Sequence, residues 1–62
     1  MSRITKALKM LKKISEAYPE KGVKEISLMI GVHFSQFYRW EQGQEPLLES
    51  YLKVEKVYKG LQ

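Results

Sequence analysis

Cysteine is absent from this 62-residue chain, and histidine occurs once, as His33. Disulfides and thiolate metal sites are therefore excluded, and a zinc site built from protein ligands alone lacks donors. No run of about 18 apolar residues is present, so no segment is expected to span a membrane. The first residues lack the continuous apolar stretch of a secretory signal. A chain without disulfides suits a reducing compartment, and the expected location is the cytoplasm. There is no nucleophile–base pairing signal, no phosphate-cradling glycine loop and no cluster of metal ligands. No enzymatic activity, metal or cofactor is expected.

What is present is positive charge, unevenly spread. The net charge is +4. Residues 1–31 carry seven basic side chains (Arg3, Lys6, Lys9, Lys12, Lys13, Lys21, Lys24) against three Glu, whereas residues 32–62 carry four of each sign. Such a balance favours a polyanionic partner, nucleic acid first and an anionic membrane surface second. A solvated basic face with no partner is the plainer alternative.

Proline is rare, and Pro19 and Pro46 divide the chain into three parts. Ile4, Ala7, Leu8, Leu11 and Ile14 recur at spacings of three and four, which predicts a helix over 2–17 with one buried stripe. Ser2 is its candidate N-cap, and Pro19 ends it. The segment "VKEISLMI" predicts a helix over 23–30 with Val23, Ile26 and Ile30 inward, stopped by Gly31. A third helix is expected over about 34–42, ended by Gly43, and a fourth over about 47–59, ended near Gly60. No segment alternates with period two, so no sheet is expected. The reading is one all-α, four-helix domain over 1–62, too small to bury a large core.

The two central helices are short and joined by about three residues that include a glycine, which is the arrangement of a helix-turn-helix. Two helices crossing at close range need a small side chain at the contact, and Ser27 supplies it. Gly31 tolerates the positive φ of the turn. Val32 plugs the core behind the turn. Phe37 and Trp40, three residues apart, can pack back onto the first helix.

At these residues the chain resembles a known family. "EISLMIGVHFSQFYRWEQG" is similar to the Cro/repressor-type helix-turn-helix proteins, also called the XRE family. Ile26-Ser27, Gly31-Val32, Phe37, Glu41 and Gly43 fall at the family's spacing, and the likeness covers about residues 23–60. It implies a compact lambda-repressor-like domain and sequence-specific binding of double-stranded DNA. The implied role is a transcriptional regulator of the phage or mobile-element kind, in a bacterial cell or phage-infected host. His33 stands where the family prefers Ser or Thr as the cap of the recognition helix, and histidine is not a favoured cap.

In such motifs the second helix enters the major groove. Carried over by position, Phe34, Ser35, Gln36, Tyr38 and Arg39 become candidates for base contact. Arg39 can bond guanine O6 and N7 as a fork, and Phe34 either packs on a thymine methyl or is a core residue that caps the second helix. Candidates for the DNA backbone are Lys21, Val23 through its N–H, Lys24, His33, Gln42 and Gln44. Arg39 paired with Glu41 or Glu45 is the plainer alternative, and Lys12 or Lys13 could pair with Glu41.

The fourth helix carries an apolar stripe at Leu47, Tyr51, Val54, Tyr58 and Leu61, with a second ridge at Leu48 and Leu52. That ridge is either wedged into the core or a homodimer interface; two-fold dimers over palindromic operators are what the resemblance implies. Two other readings stand beside DNA regulation. One is a protein-interaction module of the same fold, such as an antitoxin or antirepressor. The other is an excision or architectural DNA-binding factor. A membrane-surface role for the first helix is disfavoured, because its apolar face lacks large aromatics.

Overall fold

The computed structural model describes residues 2–61. Four helices follow in order: α1 (Arg3–Ala17), α2 (Val23–Ile30), α3 (Phe34–Glu41) and α4 (Leu48–Lys59). No strand occurs among the described residues. The radius of gyration is 10.5 Å, and a compact chain of this length is expected near ~10.6 Å.

α1 starts where its cap chemistry dictates. The Ser2 hydroxyl accepts from the Thr5 N–H at 3.3 Å, satisfying one donor of the first turn. The Arg3 guanidinium reaches across the fold and donates to the Pro46 carbonyl at 3.1 Å. α1 packs most extensively on α4, and this pairing moves the centre of its buried face. Ala7, Met10 and Ile14 are buried, while Ile4, Leu8 and Leu11 are half-buried. Met10 thus joins the core unexpectedly, because α4 covers the side of α1 that the Ile4–Leu8–Leu11 pattern does not mark.

α2 buries Ile26, Ser27 and Ile30. Val23, expected inward, is 40% exposed. It is the first residue of the helix, and there it lines the mouth of a groove shared with Leu8, Leu11, Lys12, Ser15, Ile26, Phe37 and Glu41. The stop at Gly31 is as expected: φ is +89°, in the left-handed region. The Gly31 and Val32 N–H groups both donate to the Ser27 carbonyl, at 2.8 and 3.2 Å. The buried Ser27 hydroxyl donates to the Lys24 carbonyl at 2.6 Å, so this small residue is fully satisfied.

α3 is held by Phe37 and Trp40, which are 4% and 2% exposed. Their ring centroids lie 5.3 Å apart at 55°. Burying each such side chain contributes about 1.5–3 kcal/mol. α3 ends at Glu41, with Gln42 as its C-cap. Gly43 follows at φ +99°. The Gln44 N–H donates to the Arg39 carbonyl and the Gly43 N–H to the Trp40 carbonyl, both at 3.0 Å. These two bonds form a Schellman termination.

α4 begins one residue later than expected. Leu47 is its N-cap and is 71% exposed, so it does not belong to the inner stripe. Val54 is fully buried, Ser50 is buried, and Tyr51, Tyr58 and Leu61 are half-buried. Pro46 is fully buried and anchors the preceding loop.

Candidate nucleic-acid interface

The inner and outer faces of α3 separate cleanly. With Phe37 and Trp40 inward, Tyr38 is 49% exposed and Arg39 is exposed. Among the described residues the ion pairs within 4.0 Å are Lys53–Glu49 and Lys59–Glu55, both one turn apart on α4. The Arg39 guanidinium therefore has no carboxylate partner at Glu41 or Glu45, and Lys12 and Lys13 have none at Glu41. The Schellman bond to its carbonyl fixes the Arg39 backbone while leaving its side chain outside.

The start of α3 is more built than the sequence implied. His33 adopts the extended backbone of an N-cap (φ −61°, ψ 138°). Its Nδ1 accepts from the Ser35 N–H at 3.2 Å and lies 2.9 Å from the Ser35 hydroxyl. Histidine thus does the work that serine or threonine would do, because its ring reaches the second N–H of the helix. Its imidazole also stacks on the Phe34 ring, with centroids 4.5 Å apart at 25°. Phe34 meets Tyr38 edge-on at 6.2 Å. The Lys24 ammonium sits 5.4 Å from the Phe34 centroid, within the range of a cation–π contact.

Phe34 is half-buried and packs against the edge of the core. It therefore lies at the seam between α2 and α3, with one side on the protein and the other beside Lys24 and His33. Gln36 departs further from expectation. Its Oε1 accepts from the Ser50 hydroxyl at 3.0 Å, so the amide is turned toward α4 and not outward with Ser35, Tyr38 and Arg39. The reason is Ser50, buried on α4, whose hydroxyl requires an acceptor once removed from water.

The remaining candidates fall into separate places. Lys24, His33 and Phe34 line one groove of about 390 Å³, together with Leu28 and the turn residues. Gln36, Arg39 and Gln44 line a smaller depression of about 170 Å³ at the other end of α3. Gln42 and Gln44 are exposed, and Lys21 is half-buried in the turn after α1. Val23 belongs to the α1–α2 groove on its other side. α2 starts at Gly22 without a side-chain cap, so its first N–H groups are not taken by a neighbouring side chain. Leu48 and Leu52 are 56% and 49% exposed. At 100° per residue Leu52 points about 160° away from the buried Val54. The wedged-core reading of that ridge is therefore set aside.

Sequence reasoning missed Leu28, which is 82% exposed and the most exposed large apolar side chain among the described residues. The available signal was its spacing, two residues from both Ile26 and Ile30, which places it off their face. Among the described residues no group of acidic, histidine or cysteine side chains could hold a metal ion. No helix among them is long and apolar enough to cross a membrane. Comparison with models of protein families, with curated proteins and with solved structures finds no match.

Proposed function

We propose that this chain is a sequence-specific, double-stranded DNA-binding transcriptional regulator. In this reading α2 and α3 form a helix-turn-helix of the Cro/repressor type, and α3 enters the major groove. The observation that carries it is the two-faced character of α3. Phe37 and Trp40 clamp it to the core, while Ser35, Tyr38 and an arginine with no carboxylate partner among the described residues occupy its outer side. Support comes from the left-handed Gly31 between two eight-residue helices, from the buried Ser27 at their junction, and from the net charge of +4.

Arg39 reads guanine, and Ser35 and Tyr38 contact neighbouring base edges. Gln36 is released from that role by its bond to Ser50. Lys24, Lys21, His33, Gln42, Gln44 and the Val23 N–H contact phosphates and set register. Leu48 and Leu52 form the contact between two copies on a palindromic operator. The role is binding, not catalysis, and it suits a small phage or mobile-element regulator.

A second reading is favoured by one specific observation. The groove walled by Leu28 and Phe34 is apolar and open, which fits a protein-interaction module such as an antitoxin or antirepressor. Selection of bound sequences from random duplex DNA separates the two. A palindromic site is the expected result. Absence of any enrichment refutes the DNA reading and favours the protein partner.

A further inference from the structure

Two contacts at the start of α3 bear on which ring nitrogen of His33 carries its proton. The backbone N–H of Ser35 points at His33 Nδ1 across 3.2 Å. A backbone N–H can only donate, so Nδ1 must accept and carries no hydrogen. The neutral imidazole therefore holds its proton on Nε2. The Ser35 hydroxyl lies 2.9 Å from the same Nδ1. Since Nδ1 has no hydrogen to give, the hydroxyl must be the donor in that contact. The nitrogen lone pair is shared between two donors on the same residue. The Ser35 hydrogen is thereby committed, and only the lone pairs of its oxygen remain.

We propose that His33 is a specificity-determining positioning residue: by capping α3 it converts Ser35 from an ambivalent hydroxyl into an acceptor, which selects an exocyclic amino group on the contacted base. The inference rests on the DNA-binding reading above. A free serine can serve any base, because it donates and accepts. An acceptor-only serine pairs with cytosine N4 or adenine N6 and is mismatched with guanine O6, guanine N7 and thymine O4. The ring of His33 is kept in place by its stacking on Phe34 at 4.5 Å, so the commitment is geometric and persists without ligand.

The test has two arms. In the free protein at pH 8, nitrogen-15 NMR of the His33 ring is expected to show a bare Nδ1 and a protonated Nε2; the opposite tautomer overturns the proposal whatever the protein binds. In the second arm, the base pair that depends on Ser35 is located by comparing sites selected by the wild type and by Ser35→Ala. Replacing the base there with an analogue lacking its amino group is expected to weaken wild-type binding about fivefold to tenfold, the loss of one hydrogen bond. Ser35→Ala binding should be unchanged by the same analogue. His33→Gly, a substitution N-cap positions tolerate, should free the hydroxyl and relax the preference at that position alone. If removing a carbonyl oxygen weakens wild-type binding instead, or if His33→Gly keeps the preference, the proposal fails. A bare Nδ1 combined with no enriched duplex sequence refutes the DNA reading, and the specificity role with it, while leaving the cap intact.

Discussion

Replacing Gly31 with alanine isolates the turn between α2 and α3. The backbone there has φ +89°, where an L-residue is strained by about 1–2 kcal/mol. Space is not the obstacle, because a Cβ would meet Lys53 Cδ at 3.9 Å, an ordinary contact. The loss is therefore backbone strain alone. A domain of this size falls by roughly 4–8 °C per kcal/mol, so Gly31→Ala should lower the melting temperature by about 4–16 °C. Gly31→Val should do worse, since a β-branched residue tolerates positive φ poorly. Gly43→Ala should match Gly31→Ala, having φ +99° and nothing within 4 Å of the added carbon. Gly22→Ala is the control: its backbone is extended (φ −79°, ψ 175°) and its surroundings are open. Gly22 is also the N-cap of α2, where glycine outranks alanine, so the rigidity gained is offset and the change should stay within about 1 kcal/mol of neutral. The assay is thermal unfolding followed by fluorescence of Trp40, the single tryptophan, which is 2% exposed when folded. If Gly31→Ala melts no lower than Gly22→Ala, the strain argument is wrong and so is the assignment of the turn.

Other substitutions probe the proposed interface. Arg39→Ala should cost about 1–3 kcal/mol on a selected site and relax preference at one base pair; equal loss on cognate and random duplexes in a binding titration would remove its reading role. Lys24→Ala should weaken all sequences alike and reduce the slope of affinity against salt by about one, measured by titration at several salt concentrations; a loss confined to the selected site would assign Lys24 to base reading. Gln36→Ala should lower stability by about 1–3 kcal/mol, the cost of leaving the buried Ser50 hydroxyl without its acceptor, and leave the selected sequence unchanged; a shifted consensus would restore Gln36 to the reading face. Leu52→Glu should leave the melting curve in place, because the side chain is 49% exposed, and should abolish two-copy occupancy of a palindromic site in sedimentation measurements; unfolding would return Leu52 to the core.

The helices were legible because each carries local signals that do not depend on the rest of the chain. Ser2, Gly31 and Gly43 mark ends by backbone chemistry, and Phe37 and Trp40 mark an inner face by spacing. What escaped depends on which neighbour covers which side. Met10 stands outside the stripe read from the α1 sequence and is buried on the side that α4 covers. Val23 and Leu47 fit the period of their helices but stand at helix starts, beyond the cover of the next element. Gln36 shares a turn with outward residues, yet its amide follows a serine fourteen positions away. His33 was underrated because cap preferences average over sites, whereas here stacking on Phe34 holds the ring where its lone pair meets the helix. The outer positions of α3 came from the resemblance, carried over by position, and Gln36 departed from them.

The bond from Arg3 to Pro46 links residues 43 positions apart, and the dominant helix pairing joins the first and last helices. A chain emerging from the ribosome therefore completes α1, α2 and α3, which touch one another, before α4 arrives. Phe37 already has Leu8, Leu11, Val23 and Ile26 beside it by then, whereas the side of α1 that carries Met10 waits for α4. Non-local closure of this kind also slows folding relative to a chain of neighbouring contacts. α4, the last of the four helices to be made, is thus the one that closes the core over α1.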